Sequence, residues 1–474
     1  MENKSQSERR HSAGALLAVA CGAPFLVALD LFVVNVAFDD IAKDFGGAQL
    51  TAVSWTLSAY AIVYAALLIP LGAASDRLGN RRGFIGGVVV FTAASALAAC
   101  APTLGVLIAA RVLQAVGAAA LTPASRALLV TSVPPERRAG AVRIWAATSG
   151  MAAALGPVVG GILVEISWRA AFLINVPIGI AFVIAAVRVF GRDSGVQKQQ
   201  RLGAAVSVGM LTGAVLLAAS SALGVLYLVQ GDEWGWGSAR AIAVLVAAVI
   251  LGVAFVFIDR RSDDPLIPTR LFSRPEFSFG TAAMLLFSIA FAAGLLDGIL
   301  LLQKGWGYSV IRSGLAVAPG PLMVPVAAVL VSRMARTVSP WLLAAAGAGL
   351  WAIGMVLIGI STDASDPNYA AGFLPGWLLG GFGVGLVIPA LIATATSGLD
   401  AAIAGRGSAV ITMSRQLGTT IGTSALVAML GAGVTTGTWW VCAAFAAGAT
   451  ILALGPLVRR TSGQARAVAA SNIG

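Results

Sequence analysis

Three ionisable side chains lie where ionisable side chains are expensive. Asp30 sits in LDLFVVNVAF, Arg111 opens RVLQAVGAA and Asp297 interrupts GLLDGIL, each within a long apolar stretch. A charge at membrane depth costs about 3 kcal/mol or more unless it faces water or a partner, so each one marks a candidate for function. A carboxyl that passes between dry and wet surroundings can bind and release a proton, and an arginine beside it sets the charge that the exchange must answer. Asp30, Arg111 and Asp297 are therefore the proton-coupling candidates. Each has a plainer reading: a packing hydrogen bond for Asp30, a tie from Arg111 to a backbone carbonyl or to Asp30 itself, and a reach toward water for Asp297. Asn35, Trp55, Gln114 and Trp145 are candidates for lining a substrate cavity, and Trp306, Trp351 and Trp377 either do the same or serve as packing and interfacial anchors.

Other chemistries find no residues. The single histidine, His11, lies in a polar N-terminal stretch, which leaves no His-based triad or metal site. Cys21, Cys100 and Cys442 are too far apart for metal or disulfide spacing and read as packing residues. No GxxxxGK[ST] phosphate loop occurs, so no cofactor is expected, the chain is not read as an enzyme, and an ion gradient is the expected energy source.

The elements that must carry these residues are membrane helices. The chain has 474 residues, of which 58% are hydrophobic and 11% charged, with mean hydropathy +0.90. That is too little charge for a soluble globule of this size. The net charge of +11 is spread over short segments between apolar runs, which argues against nucleic acid as a partner. With about 20 apolar residues needed per crossing, fourteen spans are read. The first eight fall at roughly 13–38, 52–75, 84–101, 103–129, 140–164, 169–190, 203–228 and 240–258. The other six fall at roughly 277–303, 313–333, 340–361, 371–396, 407–432 and 438–458, and the weakest division is at Pro102.

Lysine and arginine then set the orientation. Placing both termini in the cytoplasm leaves only Lys43, Arg169, Arg240, Lys304 and Arg312 outside. Glu165 and Arg169 flank an outer turn as a solvated ion pair. The polar linker Asp259–Glu276 follows span eight, with an interfacial helix expected around Leu266–Phe272.

Glycine-rich stretches punctuate the spans. GAASDRLGNRR, Gly72 to Arg82, makes a basic turn between spans two and three, and GPVVGG in span five combines Gly156, Pro157, Gly160 and Gly161 in a segment able to kink and pack closely. SGLAVAPGP, from Ser313, makes a similar flexible segment in span ten.

Together these stretches resemble the major facilitator superfamily, in particular its fourteen-span drug:proton antiporters. GAASDRLGNRR resembles the signature between spans two and three through Gly72, Asp76, Arg77, Gly79 and Arg81, departing at Ala74, Ser75 and Asn80. RVLQAVGAA resembles the span-four motif and departs from it at Ala115. GPVVGG resembles the span-five antiporter motif, and LDLFVVNVAF, WRAAFLINVPIG, SGLAVAP and SRQLGTTIG add further matches.

The resemblance implies an all-α integral membrane protein with two six-helix bundles around a central cavity and two inserted helices. The expected organisation is a cytoplasmic tail at 1–12, an N-terminal bundle at 13–190, the extra helices and linker at 191–276, a C-terminal bundle at 277–458 and a second cytoplasmic tail at 459–474. VSRMARTVSP, Val331 to Pro340, reads as a degraded second copy of the span-two turn. The first copy is the expected conformational latch, and the residues from Gly156 to Gly161 the antiporter hinge.

The implied activity is proton-coupled efflux of lipophilic drugs, antibiotics or toxic natural products across the cytoplasmic (inner) membrane. The partners are a small amphipathic substrate, protons and the lipid bilayer, and the carrier is expected to be a monomer. An exporter of one lipid, siderophore or metabolite is the alternative within transport, and a membrane-embedded receptor or enzyme the alternative outside it.

Overall fold

The computed structural model describes residues 2–190, 208–263, 265–334, 338–362, 367–397, 399, 401–431 and 437–471. Without water to bond, a backbone in hydrocarbon must satisfy its own polar groups, and a helix does so locally. All regular structure among the described residues is helical.

The chain divides into two units, the first being Met1–Leu266 with Tyr308–Ala318. The first unit contains α1 (Glu2–Val36), α2 (Phe38–Asp44), α3 (Leu50–Leu78), α4 (Asn80–Ala99), α5 (Leu104–Ser132) and α6 (Pro135–Ile166). It continues with α7 (Trp168–Leu173), α8 (Asn175–Val189), α9 (Val208–Trp234) and α10 (Ala239–Arg261). The second unit begins with α11 (Pro275–Leu300), prolonged by a π-turn at Leu301–Gly305. The next helix, α12 (Val310–Val317), groups with the first unit. The second unit then resumes with α13 (Pro319–Met334), α14 (Pro340–Ser361), α15 (Leu374–Thr396), α16 (Ala401–Gly431) and α17 (Thr438–Ser471).

Local sequence explains the boundaries. The division at Pro102 is real: α4 stops at Ala99, and the Thr103 side chain caps α5 by accepting from Val106 N at 3.3 Å. Ser238 and Ser309 cap α10 and α12 in the same way, and proline takes the first position of α6, α11 and α14, where its missing N–H leaves nothing unpaired. The flexible stretch expected in span ten is a helix break at Ala318, just before Pro319 and Pro321.

Twelve of the fourteen expected spans coincide with helices long and apolar enough to cross a membrane among the described residues. The expected spans 140–164 and 407–432 coincide instead with α6 and α16, helices of 32 and 31 residues. Spans seven and eight, α9 and α10, are the least buried. α9 leans on α3 through Ile62, Val225 and Val229 with Trp55 against them, and α10 packs on α9, exposing Val246, Val249, Ile250 and Val253.

Two expectations for this part of the chain fail. The linker after α10 forms no interfacial helix. It makes one 3-10 turn at Thr269–Leu271; Asp259 Oδ1 accepts from Leu266 N at 2.5 Å, and Leu266 and Leu271 are both buried. Cys21 and Cys442 are buried as expected, whereas Cys100 is exposed at the end of α4. In Val331–Pro340, residues 335–337 lie outside the described residues.

Candidate functional site

The charged residues of spans one and four meet in the interior of the first unit. Asp30 of α1 and Arg111 of α5 are fully buried and form an ion pair, Arg111 Nη1 to Asp30 Oδ2, at 2.5 Å. Gln114, one turn after Arg111, donates to Asp30 Oδ1 at 3.0 Å and accepts from Arg111 Nη1 at 2.6 Å. Asn175 at the start of α8 donates to Asp30 Oδ1 at 2.9 Å, and Ser95 Oγ of α4 accepts from Gln114 at 2.8 Å. From α3, Thr56 O accepts from Arg111 Nε at 3.0 Å, and the guanidinium lies 4.2 Å from the Tyr60 ring centroid. Five helices thus contribute to one network, and two of them, α5 and α8, donate directly to the carboxylate of α1.

A buried pair of this kind survives because each charge is desolvated together with its opposite and with neutral donors. The site is not saturated: Arg111 Nη2 and Tyr60 Oη are buried without partners among the described residues. An arginine with a spare donor can pass to another acceptor when its carboxylate takes a proton.

The span-five motif packs directly beside this site. A Cβ on Gly156 would strike Phe32, one on Gly160 would lie 3.1 Å from Val33 Cα, and one on Gly161 3.1 Å from Ile311 Cα of α12. The glycines therefore set α6 against the turn of α1 that follows Asp30, and against α12. The side chain of Pro157 lies outside the described residues. Asn35 turns back to its own helix, donating to Leu31 O at 2.8 Å.

The residues of the GAASDRLGNRR turn take separate places. Gly79 joins α3 to α4 at φ +100°, a conformation that suits glycine. Gly72 packs toward Pro123 of α5, and Asp76 is exposed. Arg81 donates to Phe190 O at 2.9 Å and Val187 O at 3.2 Å, closing the C-terminus of α8, where a cation offsets the helix dipole. The Arg77 side chain lies outside the described residues.

Of the four cavity candidates, only Gln114 joins the Asp30 site. Trp55 packs against the apolar cluster between α3 and α9, and Trp145 donates to Ser125 Oγ at 3.1 Å. Trp351 and Trp377 meet at a tilt of 58° within the second unit, their centroids 5.9 Å apart, and Trp306 lies 6.3 Å from Phe373 in the same aromatic group.

Asp297 does not reach water. It is 5% exposed, and its Oδ2 accepts from Thr438 Oγ1 of α17 at 2.6 Å.

The outer-turn ion pair also differs from expectation. Arg169 pairs with Asp44 at 2.6 Å, not with Glu165, and reaches Ala101 O at 3.3 Å, while Trp168 Nε1 donates to the same carboxylate oxygen at 3.0 Å. One arginine thereby joins three turns of the first unit. These contacts, led by the Arg169 hydrogen bond and followed by that of Trp168, hold the Asp44 carboxyl below its ordinary range.

Sequence reasoning missed Ser95, Asn175, Thr56 and Tyr60. Asn175 was visible as the one amide in WRAAFLINVPIG, but isolated hydroxyls such as Ser95 carry no such signal.

Solved structures of POT family transporters share the fold. One in complex with 5-aminolevulinic acid superposes with a TM-score of 0.66 over 94% of this chain and 96% of that one, at 18% identity. Among characterised relatives, the cephamycin export protein CmcT of Amycolatopsis lactamdurans is 35% identical over 90% of this chain and 87% of its own length. The tetracenomycin C resistance and export protein of Streptomyces glaucescens is 32% identical over 87% and 74%, and the methylenomycin A resistance protein of Bacillus subtilis 31% over 93% and 92%. The family model for the Major Facilitator Superfamily matches residues 20–423, nearly the whole helical body including Asp30, Arg111 and Asp297, and the chain belongs to that superfamily of membrane transporters.

Proposed function

We propose that this protein exports lipophilic antibiotics or related toxic natural products across the cytoplasmic membrane in exchange for protons, with both termini in the cytoplasm and one chain as the working carrier. The observation that carries the reading is the buried Asp30–Arg111 pair, in a chain whose near-full-length relatives are named for antibiotic export and resistance.

The proton step follows from the geometry of the pair. While Asp30 is ionised, Arg111 stays with it. A proton on the carboxyl removes the attraction and frees Arg111, whose Nη2 already has donor capacity to spare. α6 lies against the residues that follow Asp30, so a shift there passes to the span-five glycines, the proposed hinge. The Gly72–Arg82 turn is the proposed latch, with Asp76 holding one state and Arg81 anchoring the turn to α8.

A second reading, a carrier dedicated to one natural product, is favoured by relatives named for single compounds such as cephamycin and tetracenomycin C. Everted vesicles separate the readings when a pH gradient drives uptake of cephamycin, tetracenomycin C, methylenomycin A and puromycin in competition. Broad export predicts mutual inhibition, and a dedicated carrier predicts uptake of one compound alone. In either case Asp30→Asn should reduce gradient-driven uptake at least about tenfold, equivalent to about 1.4 kcal/mol. Full gradient-driven transport by a well-expressed Asp30→Asn protein would overturn the role given to Asp30.

A further inference from the structure

We propose that Asp297 is a second proton-binding carboxyl, working in the second unit independently of Asp30 and gated by its hydrogen bond from Thr438. The inference rests on the transport reading above and extends it to a residue outside the motifs of the family resemblance.

The first observation is what surrounds the side chain. Asp297 lies near the end of α11, and its one hydrogen-bond partner among the described residues is the Thr438 hydroxyl, which opens α17. A structural buried carboxylate is normally paired with a cation or fed by several donors, and Asp297 has neither.

Among the described residues, the elements packed against α11 supply no compensating charge; α14, whose Trp351 and Met355 meet Gly294, carries no titratable residue. α15 carries no titratable residue. α16 carries Arg406 and Arg415, but Gly418 and Gly422 of that helix face Leu285 and Ile289, so Arg415 lies toward the start of α11, away from Asp297. In the membrane part of α17 the neighbouring titratable group is Cys442, and Lys304 of the π-turn is exposed. On α11 itself, Glu276 is in the first turn, at the opposite end.

The second observation is an irregularity in the backbone. Immediately after Asp297 the helix widens into the π-turn Leu301–Gly305, an arrangement that recurs at functional sites because it loosens the helical register. On its other side, Gly294 and Gly298 bring α11 against Trp351, Phe373 and Trp377, a firm wall of rings. The carboxyl thus lies between a wall of aromatic rings and an irregular turn.

The step is a simple proton exchange. When the helices move to admit water, a carboxylate oxygen of Asp297 takes a proton from a hydronium ion, its new O–H bond forming as the hydronium's O–H bond breaks, and the proton returns to water in the other state. No electrons are transferred. Thr438 donates to the ionised form, and movement at the π-turn that breaks this contact alters how tightly the proton is held.

The test uses the intact protein in lipid nanodiscs, with pH steps as the probe. Infrared difference spectra should contain a carboxylic-acid band that Asp297→Asn removes and Asp30→Asn retains. Thr438→Val keeps the carboxyl and should displace the band. A spectrum unchanged by Asp297→Asn in folded protein overturns the proposal, as does an unshifted band in Thr438→Val. In vesicles, Asp297→Asn should lower pH-driven uptake at least tenfold while substrate exchange without a gradient persists, and equal loss of both marks a structural role and overturns it. If wild-type protein moves no compound at all, the transport reading fails, while the infrared bands still decide the protonation of Asp297.

Discussion

Asp30 and Asp297 are both carboxyls buried in membrane helices, and the two units hold them in opposite ways. Asp30 receives three donors, one of them a guanidinium, from α5 and α8, and its arginine is backed by a carbonyl of α3 and the Tyr60 ring. Asp297 receives a single hydroxyl. In the first unit, charge and countercharge are desolvated together, so disturbing either one strands the other. Beside Asp297 no countercharge lies among the described residues. A proton reaching Asp30 must undo a network, whereas one reaching Asp297 disturbs one hydrogen bond.

Breaking the network on one side gives the largest expected effect. Arg111→Gln leaves Asp30 buried without its cation and should cost about 3–5 kcal/mol of stability. Thermal unfolding of purified protein at neutral pH measures it, and the double variant Asp30→Asn with Arg111→Gln should recover a large part of the loss. An unfolding temperature unmoved by Arg111→Gln would show that the pair does not hold the unit together.

Neutralising the two carboxyls in parallel is the sharper comparison. Asp30→Asn strands Arg111 and should cost several kcal/mol, whereas Asp297→Asn keeps an oxygen for Thr438 and should cost about 1 kcal/mol or less. Equal destabilisation would erase the distinction between the units.

The smallest effect comes from the exposed counterpart of the buried pair. Asp44 and Arg169 carry the same charges at 43% and 39% side-chain exposure, so Asp44→Asn should cost less than about 1 kcal/mol. Its sign with pH is fixed by the depressed Asp44 value. The contribution is complete above the ordinary aspartate pKa of about 3.9 and disappears as pH falls through the lower folded value. The gap between wild-type and Asp44→Asn unfolding temperatures should therefore close on acidification, and a gap independent of pH would exclude an ionic origin.

Much of this was legible residue by residue. Asp30 and Arg111 stood out because charge in an apolar run is costly, and their pairing was one of two readings open for Arg111. Asp297 stood out for the same reason, and its alternative reading, a reach toward water, falls because it is buried with a partner 141 positions away. Arg169 was assigned to the nearest acid in sequence, Glu165, whereas the folded turns bring Asp44 to it. The linker's apolar side chains suggested an interfacial helix, but Asp259 bonds the Leu266 N–H and, among the described residues, the only helical piece there is one 3-10 turn at Thr269–Leu271.

The sequence by itself determined the membrane class, the helical spans and the residues that bear charge within them. Those properties follow from local apolarity and from the obligation of a backbone in hydrocarbon to bond within its own segment. Only the tertiary structure decided which donors meet each carboxyl. Asn175 and Ser95 reach Asp30 across 145 positions and through a shared partner, by way of helix packing set at glycine contacts such as Gly87 with Gly117. Hydrogen bonds of about 3 Å depend on such contacts to within a fraction of an ångström, and no periodicity along the chain records them.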